Sequence, residues 1–245
     1  MQVHLFDSAS QVGQAAAMLV GAQLLEKPNS VLGLATGSSP ISTYQELIRL
    51  HCAGVIDFSS TITFNLDEYC RLPIEHPCSY HRFMKEQLFS HVNLRAENTH
   101  VPNGNAEDLS AECARYDQAI AKAGGIDLQL LGIGRNGHIG FNEPSDQFVY
   151  GCHVVRLTQS TIEANRRFFD SEADVPREAV SLGVGSIMNA KRVILIATGE
   201  DKAVAVRKAI QEDIDPATQA SILRTHPNVL FCWIRQQRPN CKNST

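Results

Sequence analysis

Short apolar segments alternate along the chain with longer segments in which apolar residues recur every three or four positions. The short segments are rich in β-branched residues, and some, such as VILIA, are apolar throughout, which is typical of strands buried on both faces of a parallel sheet. The predicted strands cover residues 3–6, 31–35, 61–66, 127–133, 153–157, 179–182, 192–197 and 229–233. The predicted helices cover residues 9–25, 41–52, 80–89, 108–122, 161–168, 200–209 and 217–223, and Thr158 or Ser160 can cap the fifth.

This alternation of strand and helix predicts an α/β fold, with a doubly wound, open, mostly parallel sheet and helices on both of its faces. The 245 residues allow one large domain or two small ones. No repeat, low-complexity stretch or linker interrupts the pattern. We therefore expect a single domain over residues 1–238, followed by a loose polar tail over residues 239–245.

Composition excludes several classes of protein. With 43% hydrophobic and 20% charged residues, the chain does not have the composition of a disordered protein. Its 22 basic and 26 acidic residues give a net charge of -4, so nucleic acid is not predicted as a main partner. No apolar run approaches the ~18 residues of a membrane span, and the first residues lack the pattern of a signal peptide. We therefore expect a soluble, cytoplasmic protein with no membrane partner.

Neither the cysteines nor the histidines are spaced like metal ligands. None of the seven cysteines forms a C-x-x-C pair, and their irregular spacing favours reduced thiols. The nine histidines include no H-E-x-x-H motif. The sequence therefore predicts no catalytic metal, and it implies no cofactor.

The segment at residues 35–40, ATGSSP, joins a predicted strand to a predicted helix. Gly37 permits a tight turn, Ser39 is a favourable N-cap, and Pro40 suits the first helical position. Free N–H groups and the helix dipole at this end of the sheet would bind an anion. A plain capped turn is an equally good explanation, and the G-K-[ST] ending of a P-loop is absent. The hydroxyl groups that could assist an anion belong to Thr36, Ser38 and Ser39.

Two adjacent carboxylates, Asp67 and Glu68, stand at the end of the strand predicted at residues 61–66. One of them should face the crevice beyond the strand ends. There it can give or accept a proton if burial raises its pKa. A capping or solvated pair of carboxylates is the alternative interpretation.

A glycine-rich segment, GIGRNGHIGFNEP, follows the strand predicted at residues 127–133. Its opening matches G-x-G-x-x-G, but a dinucleotide site needs a helix directly afterwards, and Gly140 and Pro144 disfavour one. The segment carries His138 and Glu143, which a folded loop could pair. A carboxylate would then fix the tautomer and orientation of the imidazole and make it a usable proton shuttle. A surface loop with incidental polar residues is the alternative.

The strand predicted at residues 192–197 ends in a glycine turn, and Lys202 lies in the first turn of the helix predicted to follow. A cation there is unfavourable because it opposes the helix dipole. Lys202 could pair with a ligand phosphate, or simply with Glu200 or Asp201. A solvated helix face is the simpler interpretation. The same choice applies to Arg166 and Arg167 in EANRRFF.

Seven segments occur in collinear order along the chain: LGLATGSSP, TFNLDEY, EHPCSYHRFM, GIGRNGHIGFNEP, LT-x4-EANRRFF, SLGVGSIMNAKRVILIATGEDKA and LRTHPNV. Together they resemble the glucosamine-6-phosphate deaminase (isomerase/deaminase) family. The resemblance implies a Rossmann-like single domain. It also implies an enzyme of amino-sugar catabolism that converts glucosamine 6-phosphate and water to fructose 6-phosphate and ammonia.

The resemblance further implies a role for each motif. Asp67 would move a proton between C2 and C1 of the opened sugar. His138 would assist ring opening, paired with Glu143. The substrate phosphate would bind at the turn formed by Thr36, Gly37, Ser38 and Ser39, with Arg167 and Lys202 as its charged contacts.

Two features depart from the family pattern. Family forms with N-D-G-H have an Asp beside the His, whereas here Asn136 occupies that position. Asn can orient a His but carries no charge, so ring opening would depend more on Glu143. Larger hexameric members bind N-acetylglucosamine 6-phosphate allosterically, through basic residues after the NEP motif and a longer carboxyl terminus. Residues 145–155 contain no Lys or Arg, so we expect weak or absent allosteric activation.

Other functions stay open at this point. A 6-phosphogluconolactonase shares the fold and a similar loop, although FNEP and NLDEY favour a deaminase. A galactosamine-6-phosphate deaminase acts on a sugar that differs only at C4, which these motifs do not distinguish. A non-enzymatic sugar-phosphate-binding regulator would need a DNA-binding module, and no helix-turn-helix precedes Val31. We expect a monomer or a small homo-oligomer.

Overall fold

A parallel sheet of seven strands forms the centre of the computed structural model, which describes residues 1–234. The tail expected at residues 239–245 and the end of the expected domain therefore lie outside the described residues. The strands in the described range are β1 Gln2–Phe6, β2 Val31–Leu34, β3 Ile62–Asn65, β4 Asp67–Tyr69, β5 Thr99–His100, β6 Leu128–Leu131, β7 His153–Arg156, β8 Glu178–Ser181, β9 Arg192–Ala197 and β10 Val229–Ile234. The order in the parallel sheet is β1-β10-β9-β6-β2-β3-β5.

The helices alternate with the strands along the chain, as predicted. They are α1 Ala9–Glu26, α2 Ile41–Cys52, α3 Tyr80–Gln87, α4 Leu109–Lys122, α5 Gln159–Asn165, α6 Val184–Met188 and α7 Ala203–Gln211. Side-chain caps fix several starts: Ser8 accepts the N–H of Gln11 at α1, and Thr158 accepts the N–H of Thr161 at α5. Of the two candidate caps for the fifth helix, Thr158 is therefore the one used.

Successive side chains of β9 pack into different apolar clusters on the two faces of the sheet. Ile194 and Ile196 are buried with residues of α1, α2 and α3. Val193 and Leu195 are buried with residues of α4, α6 and α7. A strand with both faces covered must be apolar at every position, which explains the sequence VILIA. The predicted open α/β sheet with helices on both faces is confirmed.

A second, antiparallel sheet, ordered β4-β8-β7, was not expected. The strands predicted at residues 153–157 and 179–182 belong to this sheet and not to the parallel one. Only Leu66 separates β3 from β4; its N–H donates to Leu34 O at 3.1 Å, and its carbonyl accepts from Leu182 N at 2.7 Å. Because only one residue lies between β3 and β4, the sequence shows no turn there, and β4 is not predicted as a separate strand.

Several helical predictions differ from the structure in detail. The helix expected at residues 200–209 begins as a 3₁₀ turn, Glu200–Lys202, and continues as α7. The helix expected at residues 217–223 is a 3₁₀ segment, Pro216–Thr225, kinked at Thr218. Short 3₁₀ pieces share the sequence signals of α-helical ends, so local pattern does not separate them. Neither α6 nor β5 was predicted.

Strands β2, β3, β6 and β9 are parallel neighbours, so their carboxyl ends meet at one edge of the sheet. The segments that follow them are the four that the sequence analysis singled out. In an open α/β sheet this edge is where ligands bind. Within residues 1–234, none of the helices has the length and apolarity needed to cross a membrane.

Candidate active site

A pocket of about 330 Å³ opens at this edge of the sheet. That volume is in the usual range for small-molecule sites. Eight of the ten predicted site residues line it: Thr36, Gly37, Ser38, Ser39, Asp67, His138, Arg167 and Lys202. The other two, Asn136 and Glu143, lie behind His138. Segments far apart in the chain thus meet around one cavity.

The turn after β2 forms one side of the pocket. Gly37 adopts a positive φ of 92°, as a tight turn requires. The N-cap of α2 is Pro40, so the expectation that Ser39 caps this helix is wrong. Ser39 Oγ instead accepts from Thr198 Oγ1 at the end of β9, at 3.4 Å. Pro40 gives no side-chain cap, and Ile41 lines the pocket, so the first turn of α2 opens onto the cavity.

Asp67 is the buried carboxyl group of the pocket, with 5% of its surface exposed. Its Oδ1 lies 3.5 Å from Thr36 Oγ1, which links it to the turn after β2. Burial, and then the charge of Glu68, raise the pKa of Asp67 to about 8, against a smaller opposing effect of the Thr36 hydroxyl. A carboxyl group titrating near neutral pH can both accept and return a proton.

Glu68 points away from the pocket, to the start of α3. Its carboxylate accepts the N–H groups of Tyr69 at 2.8 Å, Tyr80 at 3.0 Å and His81 at 3.0 Å. The Nδ1 atom of His81 lies 2.9 Å from the same carboxylate. The capping interpretation is therefore correct for Glu68, and the expectation that one of the two carboxylates faces the crevice is confirmed by Asp67.

His138 stands on the loop after β6, with its ring against Gly134. A Cβ at Gly134 would lie only 2.4 Å from His138 Nε2, so this position needs glycine. The Nδ1 atom of His138 lies 3.4 Å from Glu143 Oε2, in an ion-pair arrangement longer than a good hydrogen bond. No helix follows the loop until α5, which excludes the dinucleotide interpretation of G-x-G-x-x-G.

Glu143 is buried behind His138, where several donors surround its carboxylate. Asn136 Nδ2 donates to Oε2 at 2.7 Å, and Thr158 Oγ1 donates to the same oxygen at 3.1 Å. Burial on its own would raise the pKa of Glu143, but His138 and the neighbouring donors together lower it to about 2. The loop thus holds an ionised carboxylate against the imidazole, an arrangement that fixes the ring for proton transfer.

Two cations, Arg167 and Lys202, border the pocket beside the turn after β2. Lys202 is mostly buried, with 20% of its side chain exposed, and its Nζ lies 3.9 Å from Asp201 Oδ2. Burial, and then the positive charges of Arg135 and Arg167, lower the pKa of Lys202, while Asp201 opposes that shift. Arg167 is exposed, with its guanidinium 4.7 Å from the ring centre of Phe168. Together with the turn, these cations can bind an anion.

An aromatic wall completes the pocket, and its residues were not predicted from sequence. The rings of Tyr69, Tyr80 and Phe141 pack against one another. Their centres are 5.4 Å apart for Tyr69 and Phe141, 5.9 Å for Tyr80 and Phe141, and 4.9 Å for Tyr69 and Tyr80. Asn165 Nδ2 holds the Tyr69 hydroxyl at 2.9 Å. One signal was available: Tyr69 follows Asp67 by two residues, so an extended strand places both on the same side. The apolar rings help to keep Asp67 away from water.

Arg135 was not among the residues predicted from sequence. Its Nε donates to Asp201 Oδ2 at 2.5 Å. This ion pair joins the loop after β6 to the turn after β9, across 66 positions of the chain. Among residues 1–234, no group of three or more His, Cys, Asp or Glu side chains is placed to hold a metal ion.

Comparison with known proteins gives consistent matches. The family model for glucosamine-6-phosphate isomerases/6-phosphogluconolactonase matches residues 6–231. A glucosamine-6-phosphate deaminase of Clostridioides difficile (strain 630) is 51% identical over 230 residues, covering 94% of this chain and 92% of that protein. A glucosamine-6-phosphate deaminase of Lachnoclostridium phytofermentans is 53% identical over 235 residues, covering 95% of this chain and 100% of that protein. A solved structure of a monomeric glucosamine-6-phosphate deaminase has a TM-score of 0.94 at 43% identity, covering 96% of this chain and 98% of that one.

Proposed function

Because the chain belongs to the family of glucosamine-6-phosphate isomerases and 6-phosphogluconolactonases, we propose that it converts glucosamine 6-phosphate and water to fructose 6-phosphate and ammonia. The resemblance read from the sequence is confirmed by this family match. Relatives that share about half of their residues with this chain over nearly its full length carry the deaminase name, which favours deamination over lactone hydrolysis.

One observation carries the proposal: a single pocket is lined both by a buried carboxyl group and by side chains that can bind an anion. Asp67 supplies the carboxyl group, with a pKa raised to about 8. Thr36 and Lys202 border the same cavity and can bind a phosphate. A sugar phosphate needs both features, because its phosphate fixes its position while a proton moves at the other end of the molecule.

In this proposal Asp67 is the group that moves the proton between C2 and C1. The reaction requires one group first to remove a proton from carbon and then to return it to the neighbouring carbon. A pKa near the working pH suits both steps. An amine cation bound close to Asp67 would stabilise its ionised form and prepare it for the first step.

His138 assists the opening of the sugar ring, and Glu143 is its partner. Ring opening needs a proton to leave one oxygen and another to reach the ring oxygen, which an imidazole can transfer. The carboxylate of Glu143 lies 3.4 Å from His138 Nδ1, where it can orient the ring. Asn136 acts through Glu143, because its amide donates to that carboxylate and does not line the pocket.

The phosphate binds at the turn after β2. Backbone N–H groups at the first turn of α2 and the hydroxyl groups of the turn provide donors. Arg167 and Lys202, which line the same pocket, add positive charge. The proposal also explains why a lysine is tolerated in a largely buried position, since an anionic ligand would compensate its charge there.

The proposed substrate is a small molecule, and we propose that the protein acts in the cytoplasm as a monomer or a small homo-oligomer. The similar solved structure is that of a monomeric enzyme, which supports the smaller assembly. Of the two sugars that differ at C4, glucosamine 6-phosphate and galactosamine 6-phosphate, we propose the first as the substrate.

Parallel assays of the purified protein with three compounds test this function. Ammonia release is measured with glucosamine 6-phosphate and with galactosamine 6-phosphate, and lactone hydrolysis with 6-phosphogluconolactone. We expect the highest kcat/KM with glucosamine 6-phosphate. A higher value with galactosamine 6-phosphate would instead make the chain a deaminase of the epimer. Lactone hydrolysis without ammonia release, or binding without any turnover, would contradict the proposal.

A further inference from the structure

The ion pair between Arg135 and Asp201 adjoins the proposed phosphate site without lining the pocket. Arg135 lies in a tight turn closed by the hydrogen bond from Gly137 N to Gly134 O at 3.1 Å. Its neighbour Asn136 bonds to Glu143, whereas Arg135 extends to the turn after β9. Two consecutive residues of one loop thus bond to two different carboxylates, Glu143 beside His138 and Asp201 beside Lys202.

Asp201 stands between two cations that compete for it. Its Oδ2 accepts from Arg135 Nε at 2.5 Å and lies 3.9 Å from Lys202 Nζ. The shorter contact is a charge-assisted hydrogen bond, and the longer one is an ion pair without hydrogen-bond geometry. The carboxylate therefore interacts mainly with Arg135, and the ammonium group of Lys202 keeps its donors for another anion.

We propose that Arg135 is a positioning residue for the phosphate site, which holds the Asp201 carboxylate away from Lys202 so that the lysine stays free to bind the substrate phosphate. This inference depends on the proposed function, because it takes Lys202 as a phosphate contact. Without Arg135, the adjacent carboxylate would turn to Lys202 and compete with the phosphate for its ammonium group.

Two simpler roles for Arg135 would have different consequences for phosphate binding. If Arg135 bound the phosphate directly, its removal would weaken binding whether or not Asp201 was present. If the ion pair merely held two loops together, removal of either partner would weaken binding. In the proposed role, removal of Arg135 alone weakens phosphate binding, and removal of Asp201 as well restores it.

The test measures the binding of inorganic phosphate by calorimetry and KM for glucosamine 6-phosphate, in Arg135→Gln, Asp201→Asn and the double variant. We expect Kd and KM to rise about fivefold in Arg135→Gln, the size expected for a partly exposed charge effect. Asp201→Asn should bind as tightly as the wild type or more tightly, and the double variant should lie within about twofold of the wild type. In each variant kcat should change less than KM.

A matched control is available in Arg207 and Glu212, an ion pair of similar exposure. Its atoms lie 3.1 Å apart, and its side chains are 55% and 45% exposed, against 57% and 40% for Arg135 and Asp201. Arg207→Gln should leave phosphate binding unchanged. In a Lys202→Met background, Arg135→Gln should add no further loss, because the lysine through which it acts is absent.

Several results would overturn the inference: weaker binding in Asp201→Asn, a double variant as weak as Arg135→Gln, or no effect of Arg135→Gln. A wild-type protein that does not bind inorganic phosphate would overturn it too. Failure of the proposed function looks different. If the expected binding pattern appears but the wild type releases no ammonia, the reaction is wrong and the role of Arg135 stands.

Discussion

Asp67 and Glu68 are neighbours in the chain, yet their carboxylates lie on opposite sides of β4. Asp67 faces the pocket beside Thr36, and Glu68 accepts three backbone N–H groups and faces the ring of His81. The charge of Glu68 nevertheless acts on Asp67. After burial, it makes the next largest contribution to the raised pKa of Asp67. One adjacent pair thus supplies both a buried carboxyl group at the pocket and a charge that helps to raise its pKa.

The first prediction concerns catalysis by Asp67. Asp67→Asn should lower ammonia release by about a hundredfold or more, since a positioned acid–base group contributes factors of roughly 10² to 10⁴. Phosphate binding should survive, because the asparagine keeps the shape of the site. Steady-state assays and calorimetry with fructose 6-phosphate measure the two effects separately. Near-normal turnover in the variant would show that another group moves the proton.

The same variant tests the raised pKa of Asp67. That pKa is about 8 in the folded protein, and near 4 in an unfolded chain. Between these values the folded state holds the proton more tightly, so the free energy of unfolding falls as pH rises from about 4 through about 8. Asn lacks this contribution. We therefore expect the Tm of Asp67→Asn to rise relative to that of the wild type from pH 5 to pH 8.5. The corresponding change in the free energy of unfolding is at most about 4 kcal/mol.

Thermal unfolding at a series of pH values measures this difference. Asp170→Asn, at an exposed position, is a suitable control and should follow the wild type at every pH. Parallel Tm curves for Asp67→Asn and the wild type would mean that Asp67 titrates at an ordinary pKa and that burial does not adjust it.

A third prediction concerns Asn136, which stands where some family members have Asp. In Asn136→Asp, a second carboxyl group would replace the amide that now lies 2.7 Å from Glu143 Oε2. Like charges at that distance cannot both ionise easily, so the pair should share a proton and titrate at a higher pH. The variant should stay active, with the acid limb of its kcat/KM profile moved to higher pH. Superimposable profiles would argue against coupling between these residues.

The fourth prediction concerns Gly134 under the His138 ring. In Gly134→Ala the new Cβ would lie 2.4 Å from Nε2, so the imidazole must move. Because small displacements of catalytic groups have large effects, kcat should fall by about a hundredfold while circular dichroism stays unchanged. Gly21→Ala is the control, since its Cβ would meet Ile56 at an ordinary 3.5 Å. Full activity in Gly134→Ala would remove His138 from the mechanism.

The fifth prediction concerns regulation. Residues 145–155 contain no Lys or Arg to bind an allosteric sugar phosphate. The backbone of this segment packs on α6, where the carbonyl of Val149 accepts from Val184 N at 2.8 Å. We expect hyperbolic kinetics with glucosamine 6-phosphate and no activation by N-acetylglucosamine 6-phosphate. Sigmoidal kinetics that become hyperbolic on addition of the acetylated sugar would contradict this.

Much of the site can be predicted from sequence because its signals are local. A buried strand followed by a glycine turn places polar residues at the carboxyl end of a parallel sheet, whatever the rest of the chain does. Thr36, Asp67, His138 and Lys202 were all found in this way, and the structure brings them to one pocket. The motifs also carried the family resemblance, which the comparisons confirm.

Contacts between distant segments were decided only by the tertiary structure. The antiparallel sheet depends on the pairing of β4 with β8, more than a hundred positions later, and this pairing sets which side of β4 faces the pocket. Likewise, Arg135 and Asp201 carry no pattern that connects them. Hydrophobic periodicity indicates which face of each segment is buried, but it does not indicate which other segment packs on that face. The sequence by itself therefore determined the alternating elements and the polar turns. Folding decided which carboxylate faces the pocket and which cation lies closest to Asp201, because both depend on contacts between distant segments.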